Sequence, residues 1–471
     1  LASGFFAGSS RTARTAEARF LRAFAYFNMV KRYGGVPLIL KAQQLSDSPE
    51  ELYPKRATEE AVYQFILDEM NDIIDNRLLP DAYGAADLGR PTLYAAAALK
   101  SRAAMYAGSI ASWGTVQIDG LVGIPADKKE HFWQESLNAS NRLLYGSPFA
   151  LYEKYPDDRS KNYRNIFLDE NNCEVIFSEI YDGKSGKGHS WDMWQNPSGY
   201  NAWAGGQQNC VYLEFVESYE NIDGSDPTID REKVAQYYTW TLDELWGKKD
   251  PRFKASIYTQ GTPWTHEGAS VTLDYHVGIF VDGQWINDGF YEGVPALGVC
   301  ANNWRPTPFG ILKYLDESSA MIPERYYSKT DWIVFRLGEI YLNFAEAAFE
   351  LNKPDSALWA VNKIRARAGM PELQSITREQ IRHERKIELA FEGNRYWDVR
   401  RWRTAVQDLS HAWHGMRYKL DWATQKYYVE IVDNICGTPE PYFNEMHYYW
   451  PIAQSRTQQN PNLLPNNPGW R

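Results

Sequence analysis

Cysteine is scarce in this chain. Four residues, Cys173, Cys210, Cys300 and Cys436, lie far apart and form no CxxC pair. That excludes a zinc ribbon and a thioredoxin-like redox motif. Disulfides stay open, because pairing is not readable from spacing alone. Most of the four are expected to be buried small side chains. Long apolar runs are missing too. No stretch approaches the roughly 18 residues of a membrane span, and the longest is a short Ala-rich piece around Leu93 to Leu99. No Lys/Arg run marks a nucleic-acid patch, and the formal net charge is −10. A polyanion partner is therefore not expected. There is no Walker loop, no G-x-S-x-G and no GxGxxG opening a helix. Neither a Met nor a secretory leader stands at Leu1. The chain reads as a piece that has lost its N-terminal end, where a targeting signal or a lipid-modified Cys would sit.

Aromatic residues are what the chain has in excess: 18 Trp, 31 Tyr and 20 Phe, 15% of 471 residues. Charged residues, at 23%, are ordinary for a folded protein. A large helical core absorbs many of these rings. It does not account for Trp clustered among Gly, Asn and Pro.

Helical periodicity dominates both ends. Ala16 to Gly35 reads as a helix, with Phe20, Phe24 and Phe27 on one face and a Gly34–Gly35 stop. Thr58 is an N-cap candidate for a second helix. A third opens at Pro91 and a fourth spans about Phe132 to Tyr145. From about Pro148 to Pro323 the periodicity fades. Short strand-like pieces remain at Glu174 to Glu179, Ala255 to Tyr258, and Gly278 to Val281 before the hairpin signal Asp282–Gly283. Two helices are expected inside this stretch, near Glu214 to Tyr219 and Glu232 to Trp246. Helical periodicity returns at Trp332 and runs to Asn352. Pro354 to Gly369 is the next helix, Thr377 with Gln380 forms a capping-box pattern, and a last helix is expected over Tyr396 to Leu409. The pair around Tyr341 to Ala366 looks like a tetratricopeptide hairpin. The expected organisation is N-terminal helical pairs over 16–147, an insert over 148–327, C-terminal helical pairs over 328–410, and an irregular segment over 411–471.

Four segments, in order, carry a resemblance. They are EARFLRAFAYFNMVKRYGGVPL, RLGEIYLNFAEAAFELN, ERKIELAFEGNRYWDVRRW and YYWPIAQSRTQQNPNLLPNNPGW. Together they resemble the SusD/RagB family over nearly the whole chain. The resemblance implies a single, mostly α domain: a tetratricopeptide-like superhelix of helical pairs, with a loop-rich, ligand-binding insert containing short strands. It implies a cell-surface lipoprotein of the bacterial outer membrane, anchored through an N-terminal lipid absent from this sequence. It also implies a SusC-like TonB-dependent transporter as partner and an oligosaccharide ligand captured without catalysis. A peptide-binding or protein-interaction scaffold of the same fold is the alternative, ahead of an all-α carbohydrate-active enzyme.

The insert supplies the candidate ligand residues. Trp191, Trp194, Tyr200 and Trp203 lie in one loop, and Trp264, Tyr275, Trp285 and Trp304 follow. A pyranose has a flat C–H face that suits an exposed indole or phenol, and a hydroxyl rim that suits planar polar groups such as Asn201, Gln195 and Arg305. Position within the family favours Tyr275, Trp285 and Trp304. The duller reading is that these rings pack the insert onto the helices. Glu384, Glu388 and Glu392 share one helix face near Asp398. Two carboxylates could serve a glycosidase, but Arg385, Arg395, Arg400 and Arg401 crowd the segment, so an ion-pair network bracing the last helices is expected. The His residues match no zincin pattern. Asp223, Asp226 and Asp230 read as a polar turn rather than a Ca²⁺ loop. No catalytic residue, metal or cofactor is expected.

Overall fold

The computed structural model describes residues 9–183, 186–200, 206–301, 307–317, 326–437 and 441–470. Four long N-terminal helices come first: α1 (Ser9–Tyr33), α2 (Glu59–Asp75), α3 (Leu93–Trp113) and α4 (Lys129–Gly146). At the end of α1, Gly34 takes φ +68 and donates to the Val30 carbonyl at 2.8 Å. Thr58 caps α2, its hydroxyl oxygen accepting from the Ala61 amide at 3.1 Å. The third helix starts later than Pro91. Thr92 is its cap and accepts from the Ala95 amide at 3.2 Å, because a side-chain acceptor satisfies one of the orphan first-turn amides. α3 is buried around almost its whole girth. Ala95 to Ala98 permit that, offering no bulk to α2 and α4. At Gly108 the approach is close: a Cβ would come within 2.7 Å of the Trp133 ring.

The C-terminal helices are α5 (Leu337–Glu350), α6 (Pro354–Ala368), α7 (Arg378–Glu388) and α8 (Arg395–Arg401). The capping box at Thr377 and Gln380 forms as expected, with bonds of 3.2 and 2.8 Å. α5 packs against α4 as well as α6 and α7. The two sets of helices therefore share one core that includes Phe20, Ile66, Leu99, Trp133, Ile340 and Val361. The helix expected through Leu409 breaks at Arg403, which takes φ +59.

Seven strands matter for the site: β1 (Val175–Glu179), β2 (Thr239–Trp240), β3 (His276–Val281), β4 (Gln284–Ile286), β5 (Trp332–Arg336), β6 (Gly415–Asp421) and β7 (Lys426–Val432). β2 splits the helix expected over Glu232 to Trp246 into Arg231–Ala235 and Leu242–Trp246. β5 replaces the expected start of a helix at Trp332. It pairs antiparallel with β1, which places Glu179 opposite Trp332. The other strands form one sheet in the order β2-β7-β6-β3-β4. The Asp282–Gly283 turn closes β3 and β4 with φ +48 and +81, both positive as a type I′ turn requires.

The β6–β7 hairpin corrects the expectation of an irregular segment over 411–471. Met416, Tyr418 and Leu420 turn inward while Arg417 and Lys419 turn out. This is the period-2 alternation of a half-buried strand. The sheet's inner face covers a second core holding Trp240, Trp246, Tyr258, Met416, Tyr418 and Val429. The cysteines also depart from expectation. Of the four, only Cys300 is buried.

Candidate ligand-binding site

A helical turn, Trp191–Gln195, sets two indoles three residues apart on one side. Both line a cavity of about 660 Å³, together with Tyr181 and Trp332. The β1–β5 pairing explains the convergence. Glu179 opposes Trp332, and Tyr181 follows two residues after Glu179, so both rings reach the same end of that ribbon. Each ring is held. Trp332 stacks on the buried Tyr314 with centroids 4.9 Å apart and planes 27° apart. The Trp191 indole donates through Nε1 to the Lys313 carbonyl at 3.1 Å. Tyr181 meets the His189 ring edge-on at 4.8 Å.

His189 makes the floor rigid. Its Nδ1 accepts from the Trp191 amide at 3.1 Å, which leaves Nε2 to donate to the Thr330 carbonyl at 2.9 Å. This is the arrangement of a neutral ring, and burial lowers the imidazole pKa in the same direction. Beneath the turn, Asp192 is buried and accepts from the Asp316 amide at 3.0 Å. Burial pushes its carboxyl up to about 7. The rim carries exposed amides at Gln208 and Asn209. The buried Gln195 accepts from the Asn209 backbone at 3.3 Å. Flat rings beside paired amide donors and acceptors form a surface for a ligand with one apolar face and a hydroxylated edge.

The candidates do not form one platform. Trp191 and Trp194 lie together. Tyr200 sits outside that cavity, its ring 4.9 Å from His266. Trp264 and Tyr275 are not open to solvent. Each is only 4% exposed within the second core, where both pack on Tyr258. Trp264 lies on the strand Pro263–His266 and Tyr275 just before β3, and both side chains turn inward, which corrects the expectation of exposed rings. Trp285 lies on the outer face of the five-stranded sheet. Asn201, Trp203, Trp304 and Arg305, with Asn302 and Asn303, fall outside the described residues. Sequence reasoning missed Tyr181, Tyr314, Trp332, Gln208 and Asn209. The alternation of Trp332 to Arg336, with Ile333 and Phe335 buried, was the signal that could have marked a strand and its outward indole.

The four carboxylates of the α7–α8 segment are buried and paired. Glu384 bonds Arg252 and Arg365, Glu392 bonds Lys313 and Arg336, and Asp398 bonds Arg385 and Arg401. Glu388 meets Arg252, Arg336 and Arg367. Burial works against its charge, but Arg367, Arg336 and Arg252 outweigh that and hold its carboxyl well below the usual range. The partners are mostly distant in sequence rather than the neighbouring arginines expected. Arg395 pairs with Asp408 instead, and Arg400 donates to the Tyr448 carbonyl. A glycosidase acid must face a cavity that admits the sugar; these groups face guanidinium. Asp223 and Asp226 accept from Ser225 and Thr228 within their turn, and Asp230 caps the helix Arg231–Ala235. Among the described residues, no group of three or more His, Cys, Asp or Glu is placed to hold a metal.

Comparison with known proteins agrees with this architecture. The family profile described as "SusD family" matches residues 173–470, and one described as "Starch-binding associating with outer membrane" matches residues 8–105. A SusD-like protein of Bacteroides ovatus is 23% identical over 424 residues, covering 88% of this chain. The chain spans 64% of that relative's length. A crystal structure of a SusD-like protein from Bacteroides fragilis superposes with a TM-score of 0.76 at 26% identity, over 99% of this chain and 81% of the other. A SusD-like carbohydrate binding protein from the same species gives a TM-score of 0.70 at 24% identity, over 98% and 82%. With a profile match over more than half its residues and the same helical fold throughout, the chain belongs to the SusD family.

Proposed function

We propose that this protein captures an oligosaccharide or polysaccharide chain at the bacterial cell surface, without chemistry, and passes it to a SusC-like TonB-dependent transporter in the outer membrane. One observation carries the reading: Trp191, Trp194 and Trp332 converge with Tyr181 on a cavity of about 660 Å³ rimmed by amides. Rings propped from behind present their faces at little entropic cost, which favours stacking on a sugar. The starch-binding, outer-membrane description of the profile over residues 8–105 supports both ligand class and location. Attachment would be through an N-terminal lipid outside this sequence. Among the described residues no helix is long and apolar enough to cross a membrane. Nucleic acid has no part in this reading. Asn201, Trp203, Trp304 and Arg305 are proposed as further contacts on the sequence argument alone, and Tyr200 on the same ground.

The test is calorimetric titration of the protein with maltodextrin, laminarin and xylan, with product analysis of each mixture. Binding at micromolar to millimolar affinity with no cleavage is expected. Trp332→Ala should weaken it by about tenfold, near the upper value of one aromatic contact. A Trp332→Ala protein that binds as tightly as the parent, or shortened sugars in the mixture, would remove this reading.

A further inference from the structure

The five-stranded sheet has a second face. Its inner side packs on the core through Tyr418, Leu420, Val429 and Ile279. On the outer side Phe280 opposes Trp285 across β3 and β4, and Lys419 opposes Tyr428 across β6 and β7. The solvent face of a sheet packed on one side only ordinarily carries polar side chains. Here Phe280, Trp285 and Tyr428 form an aromatic cluster, with ring centroids 4.9, 5.3 and 5.6 Å apart. Tyr237, in the turn before β2, is 74% exposed and takes φ +56. With Tyr238 it walls a trough of about 500 Å³ over Trp285, Lys419, Tyr428 and Glu430.

The chemistry of the trough narrows its occupant. Lys419 lies 2.6 Å from Glu430 and 5.1 Å above the Trp285 ring. Arg417 flanks the same carboxylate at 3.7 Å, and Asp433 is 3.6 Å from His414. Lys419 and Arg417 both face Glu430, and the Asp433 side chain is 90% exposed, so the floor offers a charged ligand no unpaired buried charge. A peptide adding as a strand needs a free sheet edge. The trough lies over β6 and β7; β2 pairs β7 at Tyr427 and Tyr428, and beyond that pairing the helix Arg231–Ala235 packs against β7. Recognition there falls to side chains alone: flat rings, phenol hydroxyls and a carboxylate–ammonium pair able to bond sugar hydroxyls.

We propose that this trough is a second carbohydrate subsite, taking a neutral pyranose against the rings of Tyr237 and Trp285 with its hydroxyls on Glu430 and Lys419. It is separate from the Trp191 cavity, and it takes its ligand class from the proposed glycan-binding role. A chain long enough to touch both would bind more tightly than a short one through effective concentration.

The experiment is ¹⁹F NMR of protein labelled with 5-fluorotryptophan, its signals assigned by single Trp→Phe variants. Maltoheptaose, laminarihexaose and xylohexaose are titrated to millimolar levels. The Trp285 signal is expected to shift saturably with one of them. The shift should persist in a Trp191→Ala, Trp194→Ala variant and weaken about five- to tenfold in Tyr237→Ala. Movement of Trp191, Trp194 or Trp332 with Trp285 static overturns the subsite and leaves the cavity reading standing. Movement of Trp285 alone keeps the subsite and removes the cavity. A Trp285 shift that vanishes in the double variant overturns the subsite, since it then reports only the cavity. If no Trp signal moves with any of the three sugars, both readings fall.

Discussion

Trp191 and Lys313 tie the candidate site to the centre of the molecule. The Trp191 indole donates to the Lys313 carbonyl at 3.1 Å. The ammonium of the same lysine is buried, 2.6 Å from Glu392 and 2.8 Å from both the Tyr163 hydroxyl and the Ala390 carbonyl. The orientation of one cavity-lining ring therefore depends on a residue anchored in the ion network under the C-terminal helices.

That link predicts how Trp191 behaves. Trp191→Phe keeps a flat ring but leaves the Lys313 carbonyl without its indole donor. It should cost about 1 kcal/mol of stability and weaken glycan binding only a few-fold, whereas Trp191→Ala should weaken it about tenfold. Urea unfolding and calorimetry on the two variants measure this. Equal binding losses in both would mean that ring stacking is not what Trp191 contributes.

The ion network predicts a large penalty at a residue far from any ligand. Arg336 bonds Glu174, Glu388 and Glu392, each at 2.7 Å. Arg336→Met leaves these buried carboxylates short of a partner and should destabilise the fold by roughly 3–5 kcal/mol. A shift in the denaturant midpoint reports it. A change under about 1 kcal/mol would mean that the network relaxes around the loss.

Gly108 predicts a penalty from one added methyl. In an exposed helix, Gly→Ala gains about 1 kcal/mol. Here the new Cβ would meet the Trp133 ring at 2.7 Å, and that ring is buried with its Nε1 bonded to Ser112 at 3.0 Å. Gly108→Ala should therefore destabilise by about 1–3 kcal/mol. Pairing it with Trp133→Leu should cost less than the sum of the two single changes, measured as a double-mutant cycle.

Asp192 predicts a pH dependence. Its folded carboxyl is pushed up to about 7 by burial, while an unfolded Asp releases its proton near about 3.9. The folded state thus holds the extra proton between those values. The stabilisation is complete below the unfolded value, declines as pH rises, and is lost above about 7. Asp192→Asn should remove that decline and raise stability relative to the parent at about pH 8. Unfolding curves collected from about pH 4 to about 8 test this; parallel pH profiles for the two proteins would contradict it.

Much of the helical scaffold was legible because its signals are local. The Thr58 cap, the Thr377–Gln380 box and the Gly34 stop each act within one turn of chain, and the structure has all three. The misplaced elements show where local signals mislead. Trp332 to Arg336 carries enough apolar residues to read as a helix start, yet it pairs with Val175–Glu179. The alternation of Gly415–Asp421 was present in the sequence, but its inner face has meaning only beside His276, its parallel neighbour.

The sequence by itself determined the mostly helical class, the family resemblance and the excess of rings in the insert, because periodicity, caps and motifs are carried by residues close along the chain. Tertiary structure alone decided which rings line a cavity and which merely pack. Tyr275 and Trp264 went to the core, Trp285 went to an outer sheet face, and Tyr181 and Trp332 joined Trp191 and Trp194 around one cavity. The convergence of Tyr181 and Trp332 depends on a pairing between strands far apart along the chain, and no local pattern encodes it.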